Sequence, residues 1–211
     1  MTKIKVCGFT RRKDIEDAID LGIKWIGLNF YEKSPRYISE KEAKILIENL
    51  PSEVKKIGVF VNPDEKLLFE YVRKLNLDGA QLHGNEPPSL VKKFKKFFPD
   101  KILIKSIRIK NKNSFNKVKN YKFDYLLIDA FDEKLSGGTG KLINYKYLDR
   151  KDIPFAKTFL AGGITPENVK DIIKRFSPYG IDVASGVEIA PGIKIKEKMK
   201  KLVEEVRNAF A

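Results

Sequence analysis

Short β-rich runs alternate with amphipathic helical patterns along this whole chain. The runs lie at residues 3–7, 25–30, 56–61, 79–82, 102–107, 125–129, 158–161 and 181–184. Strands separated by helices cannot pair as tight hairpins, so they run parallel with helical crossovers, which makes an α/β fold. About eight such strands is what a closed (β/α)8 TIM barrel needs. The rival is an open doubly wound sheet, which has fewer strands and carries a glycine-rich loop after its first strand. Here the first run ends Cys7-Gly8-Phe9-Thr10, and the glycine-rich turns come after the seventh and eighth runs. Barrels bind phosphate in that late position. The expected architecture is therefore a closed eight-stranded parallel barrel, one catalytic domain over residues 1–211.

The helices between the runs carry recognisable starts. Thr10 is placed to cap a helix with the stripe Ile15, Ala18, Ile19. Ser39 and Glu42 form a capping-box pattern before Ala43, Leu46 and Ile47. Asn62-Pro63 and Thr165-Pro166 both read as a cap followed by proline at the first helical position. The last helix shows Met199, Leu202, Val203 and Val206 at i, i+3, i+4 and i+7. The fifth crossover is poorly marked, because residues 111–120 are polar and lysine-rich, and the sixth, after Gly140, is short.

Composition narrows the partners. At 211 residues and 42% hydrophobic the chain can bury a core, which argues against disorder. Its formal charge is +14, which suits either nucleic-acid binding or the attraction of an anionic small molecule. Many lysines sit on helices that also carry apolar stripes, as in residues 90–98, so a solvated basic surface is the favoured reading and no nucleic-acid partner is expected. One cysteine excludes an internal disulfide and fits a reducing cytoplasm. The first ten residues lack the apolar run of a signal peptide, and no stretch reaches the ~18 apolar residues of a membrane span, so no membrane partner is expected. A monomer or a homodimer fits equally.

In a barrel, polar residues at the C-terminal ends of strands are the candidates for chemistry. The first strand ends at Cys7, with Lys5 two residues earlier on the same side. A nearby ammonium favours the thiolate, the form that abstracts a proton, although a lone cysteine also reads as a small buried hydrophobe. The sixth strand ends at Asp129, where partial burial would make a general acid; the plainer reading is a loop cap. Arg36 follows a proline-stiffened turn and can present its fork to a carboxylate or phosphate, or simply face solvent. Gln81 and His83 share one side of the fourth strand, and a single histidine with no Cys/His spacing leaves no metal site in view. Gly162-Gly163 and Ala184-Ser185-Gly186 expose backbone N–H groups on neighbouring strands, a pattern that points to a phosphorylated ligand. Residues 136–140, Ser-Gly-Gly-Thr-Gly, read as a lid beside Asp129 or as an ordinary long connection.

Taken in order, these pieces resemble the phosphoribosylanthranilate isomerase family along almost the full chain. The motifs are Lys5-Val6-Cys7-Gly8-Phe9-Thr10, Lys33-Ser34-Pro35-Arg36-Tyr37, Gly58-Val59-Phe60-Val61-Asn62, Gln81-Leu82-His83-Gly84, Asp129-Ala130, Gly137-Gly138-Thr139-Gly140, Ala161-Gly162-Gly163-Ile164 and Asp182-Val183-Ala184-Ser185-Gly186-Val187-Glu188, extended by Pro191-Gly192-Ile193-Lys194. The resemblance implies an Amadori rearrangement without a cofactor, Asp129 as general acid, Cys7 as general base, Arg36 on the anthranilate carboxylate, and the loops around Gly163 and Ser185-Gly186 on the phosphate. Three positions depart from the pattern the resemblance implies: Ala184 for a serine, Asn29 for an apolar residue, and Lys141-Leu142-Ile143-Asn144-Tyr145 for a Phe-Asp-Trp ending. Other phosphate-binding barrels, such as a synthase using lysine and glutamate, are the nearest alternative, with Lys5 and Lys105 as its candidate lysines; a basic nucleic-acid-binding protein is the more distant one.

Overall fold

Eight parallel strands pair in sequence order, and β8 pairs back with β1, so the sheet is closed. The computed structural model describes residues 1–108, 121–129 and 153–210. The barrel strands are β1 (Lys3–Cys7), β2 (Trp25–Asn29), β3 (Lys55–Phe60), β4 (Gly79–Leu82), β5 (Ile102–Arg108), β6 (Tyr125–Asp129), β7 (Thr158–Ala161) and β8 (Gly180–Val183). Their bounds differ from the expected ones by at most one residue at either end. The helices are α1 (Arg12–Asp20), α2 (Glu40–Ile47), α3 (Glu65–Lys74), α4 (Pro88–Phe97), α5 (Val169–Phe176) and α6 (Lys196–Asn208). The expected crossover at 111–120, the loop at 136–140 and the segment 141–145 lie outside the described residues.

Side chains alternate across each strand, which divides the apolar residues into two clusters. The inward set includes Trp25, Ile57, Ile104, Leu127 and Phe159, which fill the barrel interior. Trp25 packs on Phe159 at 5.2 Å and on Tyr125 at 5.6 Å between ring centres. Such bulk needs glycine nearby: a Cβ on Gly180 would lie 2.4 Å from the Phe159 ring. The outward set, including Val6, Ile26, Leu103 and Ile128, packs under helix stripes such as Ile15 and Ala18 or Leu202 and Val206. The lysines of α4 face outward, with Lys92, Lys93 and Lys96 exposed around the buried Leu90, Val91 and Phe94.

Helix starts follow the sequence expectation in one case and depart from it in three. The Ser39–Glu42 capping box is present in both directions. Thr10 does not cap α1; Arg11 stands at that position, and the Thr10 hydroxyl donates to the Gly192 carbonyl. α3 is capped by Asp64, whose side chain accepts from the Leu67 N–H. Asn62 instead takes a left-handed conformation and accepts from the Asn85 N–H. α5 begins at Val169, because Thr165 and Asn168 bond each other's neighbourhood in a preceding turn. In each case a tertiary or local turn bond competes successfully with the cap.

A short antiparallel hairpin, β9 (Glu188–Ala190) and β10 (Ile193–Lys194), follows β8 and was not expected from the sequence. Gly192 turns it with φ of 84°. Its Lys194 N–H donates to the buried Asp14 carboxylate of α1, which fastens the hairpin to the barrel's first helix.

Candidate active site

The C-terminal ends of the strands surround a cavity of about 1110 Å³. Cys7, Arg36, Gln81, His83, Asp129, Gly162, Gly163, Ala184 and Ser185 all line it. Strand parity explains the convergence: each such residue at a strand end stands one pleat above another inward-facing residue, as Asp129 stands above Leu127.

Cys7 sits half-buried where β1 meets its loop. Gly27 is its register partner on β2, and a Cβ there would approach the thiol to 2.7 Å. Below it, Lys5 is fully buried and donates to Asp182 of β8 at 2.8 Å. Burial alone would pull the Lys5 pKa down; Asp182 first, then Cys7, outweigh it and hold the ammonium above its ordinary range. For Cys7 the balance falls the other way. Burial pushes the thiol up, and Lys5 and Lys194 pull it back only in part, while Asp182 opposes them. The ammonium expected to favour the thiolate is thus present with the expected sign, but burial outweighs it and the thiol ends above its usual value.

Arg36 reaches the cavity from the loop after β2. Its Nε donates to both Glu188 oxygens at 2.9 and 3.1 Å, and its Nη2 donates to one of them at 2.6 Å. Glu188 is buried and also accepts from Lys194 Nζ at 2.6 Å and from the Gly192 N–H at 3.0 Å. Burial pushes the Glu188 pKa up, but the bonds from Arg36 and Lys194 together hold it low. Lys194 Nζ donates onward to the Cys7 carbonyl, so one carboxylate links the arginine to the strand that carries the thiol. Asn29, where an apolar residue was expected, staples the same loop: its Nδ2 donates to Ser34 Oγ and its Oδ1 accepts from the Tyr31 N–H.

On the other wall, Gln81 Nε2 lies 2.9 Å from His83 Nδ1. An amide nitrogen only donates, so Nδ1 accepts and the proton of a neutral imidazole sits on Nε2. That nitrogen faces Asp129 Oδ2 at 3.6 Å. Gln81 therefore sets the histidine tautomer, and the histidine presents an N–H toward the carboxylate.

The glycine loops close the rim. Gly162 and Gly163 have φ of 89° and 65°, a conformation that side chains resist. Gly186, expected among the phosphate residues, does not line the cavity. A Cβ there would lie 2.0 Å from the Ile164 carbonyl, so the lack of a side chain lets the two loops touch. Lys105 points away from the barrel interior into a buried cluster: it donates to Glu86 at 2.7 Å and to the Leu82 and Gly84 carbonyls, while Glu86 also accepts from the Asn62 and Gly84 N–H groups. It joins the loops after β3 and β4, and although the residue borders the cavity its ammonium is engaged by Glu86 and two carbonyls. Among the described residues no group of three His, Cys, Asp or Glu could hold a metal ion.

Sequence reasoning passed over Ser106 and Arg108, and it quoted Asp182 and Glu188 in a motif without giving either a role. Ser106 and Arg108 share the inward parity of β5, and Arg108 is aligned with Asp129, so parity alone would have found them. Asp182 and Glu188 gain their meaning only from partners on distant strands.

A family model described as N-(5'-phosphoribosyl)anthranilate (PRA) isomerase matches residues 4–205. The N-(5'-phosphoribosyl)anthranilate isomerase of Caldanaerobacter subterraneus subsp. tengcongensis is 40% identical over 209 residues, covering 98% of each chain. The phosphoribosyl anthranilate isomerase of Thermotoga maritima is 31% identical, with a TM-score of 0.88 over 99% of this chain and 100% of its own. Another isomerase structure, in complex with reduced 1-(o-carboxyphenylamino)-1-deoxyribulose 5-phosphate, is 32% identical with a TM-score of 0.84, over 99% of this chain and 100% of its own. Both the full-length match and the cavity at the strand ends lead to one conclusion: the chain belongs to the N-(5'-phosphoribosyl)anthranilate isomerase family.

Proposed function

We infer that the chain converts N-(5'-phosphoribosyl)anthranilate to 1-(2-carboxyphenylamino)-1-deoxyribulose 5-phosphate, a step of tryptophan biosynthesis. The observation that carries the residue roles is the convergence of Cys7 and Asp129 on one cavity, with Arg36 on its rim and the Gly162-Gly163 and Ala184-Ser185 loops beside it. Asp129 protonates the furanose ring oxygen, and the ring opens to a Schiff base. Cys7 then removes the C2 proton to give an enolamine, which tautomerises to the ketone. A thiol held above its usual range is mostly protonated at neutral pH, and each thiolate that forms is a correspondingly strong base.

Arg36 holds the anthranilate carboxylate, as its planar fork is suited to do. Backbone N–H groups of Gly162, Gly163, Ala184 and Ser185 hold the phosphate, so a serine hydroxyl at position 184 is not needed. Gln81 and His83 position Asp129 and contact the sugar. We propose no cofactor: protonation, ring opening and tautomerisation need one acid and one base. Every residue named comes from one chain, so a monomer and a homodimer serve equally. A free thiol at the centre suits the cytoplasm.

The test is the loss of phosphoribosylanthranilate fluorescence on adding the protein. Turnover is expected in the wild type, and Cys7→Ala and Asp129→Asn should each lower kcat by about 10²–10⁴-fold while circular dichroism stays unchanged. Near-normal turnover in either folded variant removes that residue from its role.

A further inference from the structure

Two residues that line the cavity each bury a polar atom with no hydrogen-bond partner among the described residues: Gln81 Oε1 and Ser106 Oγ. The two residues are 1% and 4% exposed. Buried polar groups are almost always satisfied, and each unpaired one costs about 1–3 kcal/mol, so two on neighbouring strands at a ligand cavity point to a ligand that completes them.

Their placement is defined by the sheet. Ser106 is aligned with Leu127 of β6, and the register that sets Leu82 beside Lys105 carries Ser106 alongside His83. Ser106 therefore stands one pleat below Arg108 and Asp129, between the strand of the acid and the strand of Gln81. Both residues line the same cavity as Cys7 and Asp129, with the two unpaired oxygens buried just beneath its surface.

The chemistry of the two atoms selects the ligand group. Gln81 Nε2 is engaged with His83, which leaves its oxygen as a pure acceptor. A phosphate or carboxylate has no proton for it. A hydroxyl donates to Gln81 Oε1 and accepts from Ser106 in the same act. We propose that Gln81 Oε1 and Ser106 form a hydroxyl-reading subsite that grips a hydroxyl group of the sugar between the two anionic ends of the substrate. This rests on the isomerase reading and adds to it a specificity residue, Ser106, on the strand next to the acid.

Two ligands separate the possibilities. One is reduced 1-(o-carboxyphenylamino)-1-deoxyribulose 5-phosphate. The other keeps its carboxyphenylamino and phosphate ends but joins them by a saturated chain without hydroxyls. Binding is followed by the fluorescence of the aminobenzoate group. Wild-type protein should prefer the hydroxylated compound, and Ser106→Ala should weaken that compound about five- to tenfold, the worth of one hydrogen bond, while changing the other less than about twofold. The Tm of Ser106→Ala should not fall, because the hydroxyl removed bonds nothing among the described residues. Equal weakening of both ligands, no weakening of either, or a lowered Tm would overturn the subsite. A wild type that turns over no phosphoribosylanthranilate and binds neither compound overturns the isomerase reading itself; turnover with unchanged discrimination in Ser106→Ala overturns the subsite alone.

Discussion

Lys5 is the residue whose surroundings most affect the proposed base. Its ammonium has no access to water and is neutralised by Asp182 at 2.8 Å, with the Cys7 thiol alongside. Replacing it by methionine removes the cation that most lowers the Cys7 pKa. The sign follows directly: without Lys5 the thiol rises further, and less thiolate is present at any given pH. Lys5→Met should therefore shift the alkaline rise of kcat/KM to higher pH and slow alkylation of Cys7 by iodoacetamide at fixed pH. It should also cost about 3–5 kcal/mol of stability in denaturant titration, because Asp182 is left buried without its partner. An unshifted profile would assign Lys5 a purely structural role.

At the scale of elements, the hairpin of β9 and β10 acts as a brace for Arg36, the proposed carboxylate-binding arm. Glu188 opens β9, and it receives Arg36 from the loop after β2, Lys194 from β10 and the turn amide of Gly192. Arg36 has its Nε and Nη2 edge fixed by this carboxylate, and the residue lines the cavity. If Arg36 holds the carboxylate as proposed, Glu188→Gln should raise KM about tenfold with a smaller effect on kcat. An unchanged KM would show that Arg36 is held by other means. The pH dependence has a defined sign. Glu188 is held below the ordinary glutamate value of 4.5, so its stabilisation is complete above that value and is lost as pH falls through the lower folded one. The variant should lose stability less steeply below pH 4.5. Sequence order alone gave no sign of this hairpin, because its strands are only three and two residues long and carry no alternation to read.

For the molecule as a whole, the +14 charge meets a substrate that carries a carboxylate and a phosphate. A field of that sign raises the local concentration of anions at the cavity mouth, and salt screens it over about 10 Å at 0.1 M. The value of kcat/KM should fall several-fold between low salt and about 0.5 M, while kcat at saturation changes little. A salt-independent kcat/KM would leave the basic surface as solvation alone.

The strand count, the parity of each strand and the two glycine loops were all legible in the sequence, because they rest on local rules: a period of two, a period of 3.6 and the backbone freedom of glycine. Cys7 and Asp129 could be placed at strand ends for the same reason. The partners were not legible. Lys5 and Asp182 are 177 positions apart and Arg36 and Glu188 are 152 apart, and each pair meets only because barrel closure and its loops carry the chain's end back beside its beginning. The Cys7 thiol depends on that closure most of all. Its sequence neighbour argued for a lowered pKa, and the tertiary structure reversed the outcome, since burial and the claim of Asp182 on Lys5 are properties of the folded barrel and of no local segment.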